Sequence, residues 1–114
     1  MHTTTSDGHG THDEVAEAAI RAGLDFIVIT DHNTLPLEFE GYYYRGFDRI
    51  LRLIGEEVHD LARSPERSHL LIYGTEIDLS PHADRPQSLI REVQKRGGLS
   101  FLAHPCDCGV PEYD

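Results

Sequence analysis

Histidine and acidic residues are concentrated at the start of this sequence. The opening stretch, MHTTTSDGHGTH, places His2, Asp7, His9 and His12 around two glycines. The start of a chain is usually frayed and solvated, so a finely arranged group of side chains is not expected there. Imidazole and carboxylate are nevertheless the ligand types that Zn, Mn and Fe accept in mixed sites. The residue types therefore suggest metal chemistry at an unexpected position.

Residues of the same types stand at the ends of short apolar runs farther along the chain. FIVIT, ILRLI and LSFLA are closely followed by Asp31, His32, Glu56, Glu57 and His104. The run HLLIY differs, because its histidine, His69, stands at the beginning. Functional groups of parallel α/β folds gather at the carboxyl ends of strands. We therefore expect several of these side chains to converge into a metal cluster.

Helices and strands are expected to alternate around these residues. Thr11 and Glu14 have the spacing of a capping box, and apolar residues then recur at helical spacing as far as Gly23. LDFIVIT, HLLIYG and LSFLA are typical of strands, whereas ILRLI fits a strand or a helix and Gly55 after it favours a strand. QSLIREVQKR predicts a second helix, which begins near Pro86 and ends before Gly97. Residues 34–49 are expected to form a loop and SPERS a turn, and the alternation predicts a parallel α/β sheet.

Length and charge limit the classes of function. The chain has 114 residues and a formal net charge of −10, which indicates one domain and argues against a nucleic-acid partner. An acidic chain can still act on a phosphorylated substrate when metal ions reverse the local field. No apolar run approaches the roughly 18 residues of a membrane span. Cys106 and Cys108 are too close for an ordinary disulfide and are a weak metal signal, so we expect a reducing, cytoplasmic location.

Four motifs, in this order, resemble those of the PHP (polymerase and histidinol phosphatase) family. They are HTTTSDG, GLDFIVITDHN, GEEV with the later HLLIYG, and GGLSFLAHP. The resemblance extends from residue 2 to about residue 105. It implies a partial, distorted (β/α)7 barrel, similar to a TIM barrel, with parallel strands and a metal site at their carboxyl ends.

The resemblance also implies roles for individual residues. Asp7 matches the Asp of the SDG motif, and His32 matches the His of TDHN, with Asp31 beside it as an orienting partner. Glu57 matches the last residue of a Gly-x-Glu motif that bridges two metals. The implied metal ligands are His2, Asp7, His32, Glu57, His69 and His104, and the implied catalytic residues are Asp7, Asp31 and His32. The implied cofactors are two or three divalent ions, Zn, Mn or Fe.

The sequence departs from the family pattern at both ends. His2 resembles the second histidine of an opening His-x-His pair, whose first histidine and preceding strand are missing. The family's late Asp-x-His motif is missing as well, and a complete barrel has about 250 residues. We therefore expect residues 1–114 to be the N-terminal part of a single PHP-type domain, without its first strand and its C-terminal portion.

Several residues keep a second interpretation. Glu76 follows a glycine at the same spacing as Glu57 and competes with it for the bridging role. His12 is expected to point to solvent from the first position of its helix. The Tyr triplet at 42–44 is expected to pack at an edge or to line a substrate pocket. No metal role is assigned to His9, His12, His59 and His82.

The function implied by the resemblance is a metal-dependent phosphoesterase. Such an enzyme hydrolyses a small phosphorylated substrate with a water molecule that the metals activate. One alternative is a metal-binding or vestigial partial barrel without catalysis, and another is a related metal-dependent ester hydrolase. A partial barrel leaves unpaired strand edges and an open apolar face, so a homo-oligomer is also expected.

Overall fold

Two helices and five strands make up the part of the chain that the structure, a computed structural model, describes. That part comprises residues 1–64 and 68–105, so Cys106, Cys108 and the middle of the SPERS segment lie outside it. The helices are α1 (His12–Arg21) and α2 (Pro86–Lys95). The strands are β1 (Phe26–His32), β2 (Gly41–Arg45), β3 (Asp48–Val58), β4 (Leu70–Tyr73) and β5 (Leu99–Leu102). Neither of these helices is long and apolar enough to cross a membrane.

The two helices begin and end close to the predicted residues. The hydroxyl of Thr11 accepts a hydrogen bond from the Glu14 backbone, and the Glu14 carboxylate accepts one from the Thr11 backbone, which confirms the capping box. Gly23, just beyond α1, has a φ of +73°, a conformation that glycine adopts without a steric penalty. α2 begins at Pro86, as predicted, and ends just before Gly97.

The five strands form one mixed sheet, and the prediction of a parallel sheet is wrong for most of it. Among the described strands, β1 and β3 are parallel neighbours, whereas β2–β3, β3–β4 and β4–β5 are antiparallel pairs. A parallel connection needs a long crossover that usually contains a helix. No helix lies between β3 and β4 within the described residues, and β4 returns antiparallel to β3. The sheet order is β1-β3-β4-β5, with β2 beside the first half of β3, and these strands do not close a barrel by themselves.

The segment predicted as a loop contains a strand and a short 3-10 helix. The 3-10 helix is Leu37–Phe39, and β2 follows it as the Tyr-rich stretch that pairs with β3. Arg45 pairs with Asp48, so two residues close the hairpin, and the first of them, Gly46, has a φ of +62°. Tyr residues favour strands, which explains why tertiary pairing overrides the glycine signals here. The Tyr triplet thus lies on a strand that pairs only with β3 among the described strands.

Both helices pack on one face of the sheet. Beneath α1 lies a buried cluster that consists of Ala16, Ala19, Ile27, Ile29, Ile50 and Ile54. Beneath α2 lies a second cluster that consists of Val58, Leu70, Ile72, Leu79, Leu89 and Val93. Each fully buried Ile, Leu or Val side chain contributes roughly 1.5–3 kcal/mol to stability. The two clusters therefore stabilise the sheet through packing against the helices on one face, here called the helical face.

The opposite face of the sheet is apolar and open in the described part of the molecule. Phe26 is 58% exposed and Phe101 is 52% exposed, although both lie on strands. Side chains alternate between the two faces of a strand. His32 and Glu57 therefore lie on this open face, at the ends of β1 and β3, where the two residues are register partners.

Candidate metal centre

Glu57 lies at the centre of a cluster of imidazoles. Its side chain is buried at the end of β3. Atom Oε1 lies 2.9 Å from Nδ1 of His69 and 3.3 Å from Nε2 of His104, and atom Oε2 lies 3.3 Å from Nε2 of His2. The two oxygens of one carboxylate thus face histidines from two different parts of the chain.

Strand direction explains why these residues meet. β4 runs antiparallel to β3, so His69, which precedes β4, lies beside the end of β3. β5 reverses again, and His104, which follows it, returns to the same end of the sheet. The sheet is tightly packed here, because a Cβ on Gly55 would lie 2.5 Å from the carbonyl oxygen of Ile72. The glycine of the Gly-x-Glu motif therefore lets β4 approach β3 next to Glu57.

The first ten residues are held against the end of β1 rather than frayed. The backbone N–H of Thr30 donates to the carbonyl of Met1 at 2.8 Å. The His2 ring stacks on the His32 ring with centroids 4.4 Å apart, and Nε2 of His32 lies 3.5 Å from Oδ2 of Asp7. The N-terminal segment therefore brings His2 and Asp7 to the same end of the sheet as Glu57.

Asp31 does not orient His32, contrary to the sequence-based expectation. Adjacent side chains on a strand point to opposite faces, and Asp31 is 0% exposed on the helical face of the sheet. Its carboxylate accepts hydrogen bonds from the Thr3 backbone at 2.6 Å, from the Thr3 hydroxyl at 2.7 Å and from the Ser6 hydroxyl at 2.7 Å. Burial alone would raise the pKa of Asp31, but these hydrogen bonds lower it below its ordinary value. Asp31 thus anchors the segment that carries His2 and Asp7.

His12 is buried, so the expectation that it points to solvent is wrong. Its side chain is 4% exposed, and its ring stacks on Phe39 with centroids 3.9 Å apart. Atom Nε2 lies 3.4 Å from Oδ2 of Asp31. Phe39 belongs to the 3-10 helix, in the segment predicted to be a loop. No signal in the sequence indicates its contact with His12.

His59 belongs to the cluster, although the sequence motifs predict no metal role for it. Its ring stacks on His69 with centroids 4.4 Å apart and meets the edge of His32 at 4.8 Å. The signal that could have found it is the alternation along β3, because residues 57 and 59 lie on the same face.

Glu56 and Glu76 lie away from this cluster. Glu56 points to the helical face, where Oε1 accepts a hydrogen bond from the Leu79 backbone at 2.8 Å. Burial raises the pKa of Glu56 to about 8. Glu76 is exposed and follows β4, whose end pairs with Gly55 rather than with Glu57. Among the described residues, groups of three His, Asp or Glu side chains lie close enough together to hold a metal ion, and Glu76 belongs to none of them.

Within residues 1–64 and 68–105, the donor atoms form three connected groups that could hold divalent metal ions. The groups are His2–Asp7–His32, Glu57–His69–His104 and His32–His59–His69, and in each the ligand atoms lie within 4.8 Å of one another. Atom Nδ1 of His2 and atom Nδ1 of His32 are buried without a hydrogen-bond partner. Burial alone would raise the pKa of Glu57, but the His69 hydrogen bond and the nearby His32 and His2 lower it, which favours the carboxylate form that binds metals. Imidazole and carboxylate donors of this kind suit Zn, Mn or Fe.

A cavity of about 560 Å³ opens beside the cluster. All but one of the residues that line it have polar side chains; the lining consists of Thr5, Ser6, Asp7, His32, Asn33, Thr34, His59 and Leu61. The hydroxyl and amide groups of this lining can donate hydrogen bonds to a bound ligand. The cavity can therefore hold a small polar molecule against the cluster.

Comparison with known proteins identifies the family of the chain. No curated protein gives a significant match to the sequence. The family model of the PHP domain matches residues 1–110, which is nearly the whole chain. The match covers every residue of the cluster, from His2 to His104. The chain therefore belongs to the PHP domain family.

Proposed function

We propose that this chain carries the metal centre of a phosphoesterase that hydrolyses a phosphate ester. The observation that supports the proposal is the position of Glu57, whose two carboxylate oxygens face different sets of imidazoles. A carboxylate in such a position can bridge two cations. Membership of the PHP domain family agrees with a metal-dependent phosphoesterase.

The ligands divide between the two sides of Glu57. His2, Asp7 and His32 lie on one side, and His69 and His104 lie on the other. Divalent ions bound there would supply activation of water and neutralisation of the charge that develops on the ester oxygens. Asp31 contributes indirectly, because it fixes the segment that brings His2 and Asp7 into place.

The cavity beside the cluster would hold the substrate. Thr5, Asn33 and Thr34, which carry hydroxyl and amide groups, are among its lining residues. These groups can donate hydrogen bonds to phosphate oxygens and orient the ester toward the ligand cluster. The cavity, about 560 Å³ in volume, is large enough for a small phosphorylated molecule.

Metal analysis combined with a panel of chromogenic esters tests the proposal. The chain is purified without chelator, its metal content is measured, and hydrolysis of p-nitrophenyl phosphate, bis(p-nitrophenyl) phosphate and p-nitrophenyl acetate is followed. We expect bound Zn, Mn or Fe and hydrolysis of a phosphate ester that is lost in His32→Ala and retained in His9→Ala. His9 is the matched control because it is exposed and belongs to none of the metal-capable groups of the described residues.

The same panel distinguishes the competing functions. Bound metal without hydrolysis of any ester would contradict the enzymatic proposal and favour a metal-binding domain. Hydrolysis of the acetate ester alone would contradict the substrate class and favour a related ester hydrolase. Activity that survives in both His32→Ala and His104→Ala would contradict the site assignment.

A further inference from the structure

The backbone of His59, which directly follows β3, is hydrogen-bonded to the turn after β1. Its backbone N–H donates to Oδ1 of Asn33 at 3.0 Å, and the backbone N–H of Asn33 donates to the carbonyl of Glu57 at 3.1 Å. Asn33 has a φ of +51°, a left-handed conformation that Asn tolerates better than most residues. The turn after β1 is thus tied to both residues that flank Val58, and the backbone that carries the His59 ring is anchored beside the cluster.

The His59 ring lies among donor atoms of the right kind. Nitrogen atoms of His32, His59 and His69 lie within 4.8 Å of one another. The side chains come from three different places, namely the end of β1, the residue after β3 and the residue before β4. Ligands that converge from separate, well-anchored elements are typical of a preorganised metal site.

The surroundings of His59 favour a cation. The residue is 6% exposed, yet it lines two neighbouring cavities, so an ion could reach it from solvent. One cavity contains Asp7, and the other contains Asp60 and Asp84. A histidine that only fills the core needs neither a path to solvent nor acidic groups along that path.

We propose that His59 is a metal ligand that forms a three-histidine site for a divalent transition ion with His32 and His69. The inference rests on the proposed metal centre and adds to it a ligand that the family motifs do not assign. Three histidines leave one position of a tetrahedral metal open for water or substrate. The cavity that contains Thr5 and Thr34 also reaches His59, so the open position would be accessible to a ligand bound there.

Titration with Co²⁺ tests this proposal without relying on activity. The metal-free chain and the variants His59→Gln and His9→Gln are titrated with CoCl₂ and followed by calorimetry and visible absorption. Gln keeps much of the volume and polarity of histidine but is a poor ligand for this ion. We expect His59→Gln to bind one Co²⁺ equivalent more weakly by more than about a hundredfold, since loss of a mere supporting residue costs about 10–100-fold. Its visible spectrum should also change, whereas His9→Gln should match the wild type in both readouts.

Circular dichroism in metal-free buffer shows whether His59→Gln folds. If this variant does not fold, a measurement on the wild-type chain replaces it. In the ¹⁵N spectrum of the histidine rings, a nitrogen of His59 should move to the position of a metal-bound imidazole when Zn²⁺ is added. Normal Co²⁺ affinity and spectrum in a folded His59→Gln, or an unmoved His59 nitrogen, would overturn this inference and leave the proposed function standing. A wild-type chain that binds no Co²⁺ would overturn both.

Discussion

Atom Nδ1 of His69 lies 2.9 Å from Oε1 of Glu57, across the antiparallel pair β3 and β4. The two residues are close because β4 begins where β3 ends. The same reversal places Glu76, which follows the far end of β4, away from Glu57. Among the described residues, this relationship places Glu57, rather than Glu56 or Glu76, at the centre of the imidazole cluster.

Substitution of two adjacent glutamates distinguishes the metal-facing carboxylate from its neighbour. Glu57→Gln should weaken metal binding by more than about a hundredfold, because the variant loses the carboxylate that faces both sets of imidazoles. Glu56→Gln should bind metal as the wild type does, since this side chain lies on the helical face and bonds to the Leu79 backbone. Calorimetric titration with Zn²⁺ measures both affinities. Equal affinities in the two variants would contradict the assignment of Glu57.

Removal of the Asp31 carboxylate should destabilise the fold and weaken metal binding. Asp31→Ala leaves the buried backbone N–H of Thr3 and two hydroxyl groups without their acceptor. We expect the free energy of unfolding to fall by about 3 kcal/mol, since unsatisfied buried partners each cost roughly 1–3 kcal/mol. Asp84→Ala, at an exposed position, should change it by less than about 0.5 kcal/mol. Urea unfolding measures both, and similar stabilities for the two variants would show that Asp31 is not an anchor.

Two glycines of the N-terminal segment should respond differently to substitution by alanine. A Cβ at Gly8 would lie 2.3 Å from the carbonyl oxygen of His2, so Gly8→Ala must displace the backbone that carries this histidine. We expect a loss of about 1–3 kcal/mol in unfolding free energy together with weaker metal binding. A Cβ at Gly10 would meet the Val15 side chain at 3.3 Å, which can shift, so Gly10→Ala serves as the control. A Gly8→Ala variant as stable as Gly10→Ala would contradict the close packing of this segment.

Metal binding should raise the thermal stability of the chain. An ion that binds only the folded state adds about 2.7 kcal/mol per site to the free energy of unfolding when its free concentration is a hundred times Kd. For a domain of this size, that gain corresponds to a rise of about 10 °C in Tm. Differential scanning calorimetry with Zn²⁺ and then with excess EDTA should show the rise and its reversal. An unchanged Tm in the wild type, or a full rise in His32→Ala, would contradict the proposed ligand set.

Local signals in the sequence predicted the helices and most strands correctly. The capping box at Thr11, the proline at the start of α2 and the glycines after both helices depend on interactions within one turn. β2 was missed because its Tyr residues gain their strand conformation from pairing with β3, which is not a local property. The direction of β4 and β5 is likewise set by connections and packing that no short window of sequence contains.

The sequence by itself determined the family, the two helices and the chemical types of the candidate ligand residues, because motifs and capping signals are carried by neighbouring residues. Only the tertiary structure decided which of those residues meet. It brought His69 to Glu57 by reversing β4, turned Asp31 away from His32, buried His12 against Phe39 and placed His59 within the cluster. These outcomes depend on strand direction and on the alternation of side chains between two faces of a sheet. The order of residues along the chain does not specify which side chains will lie together on one face.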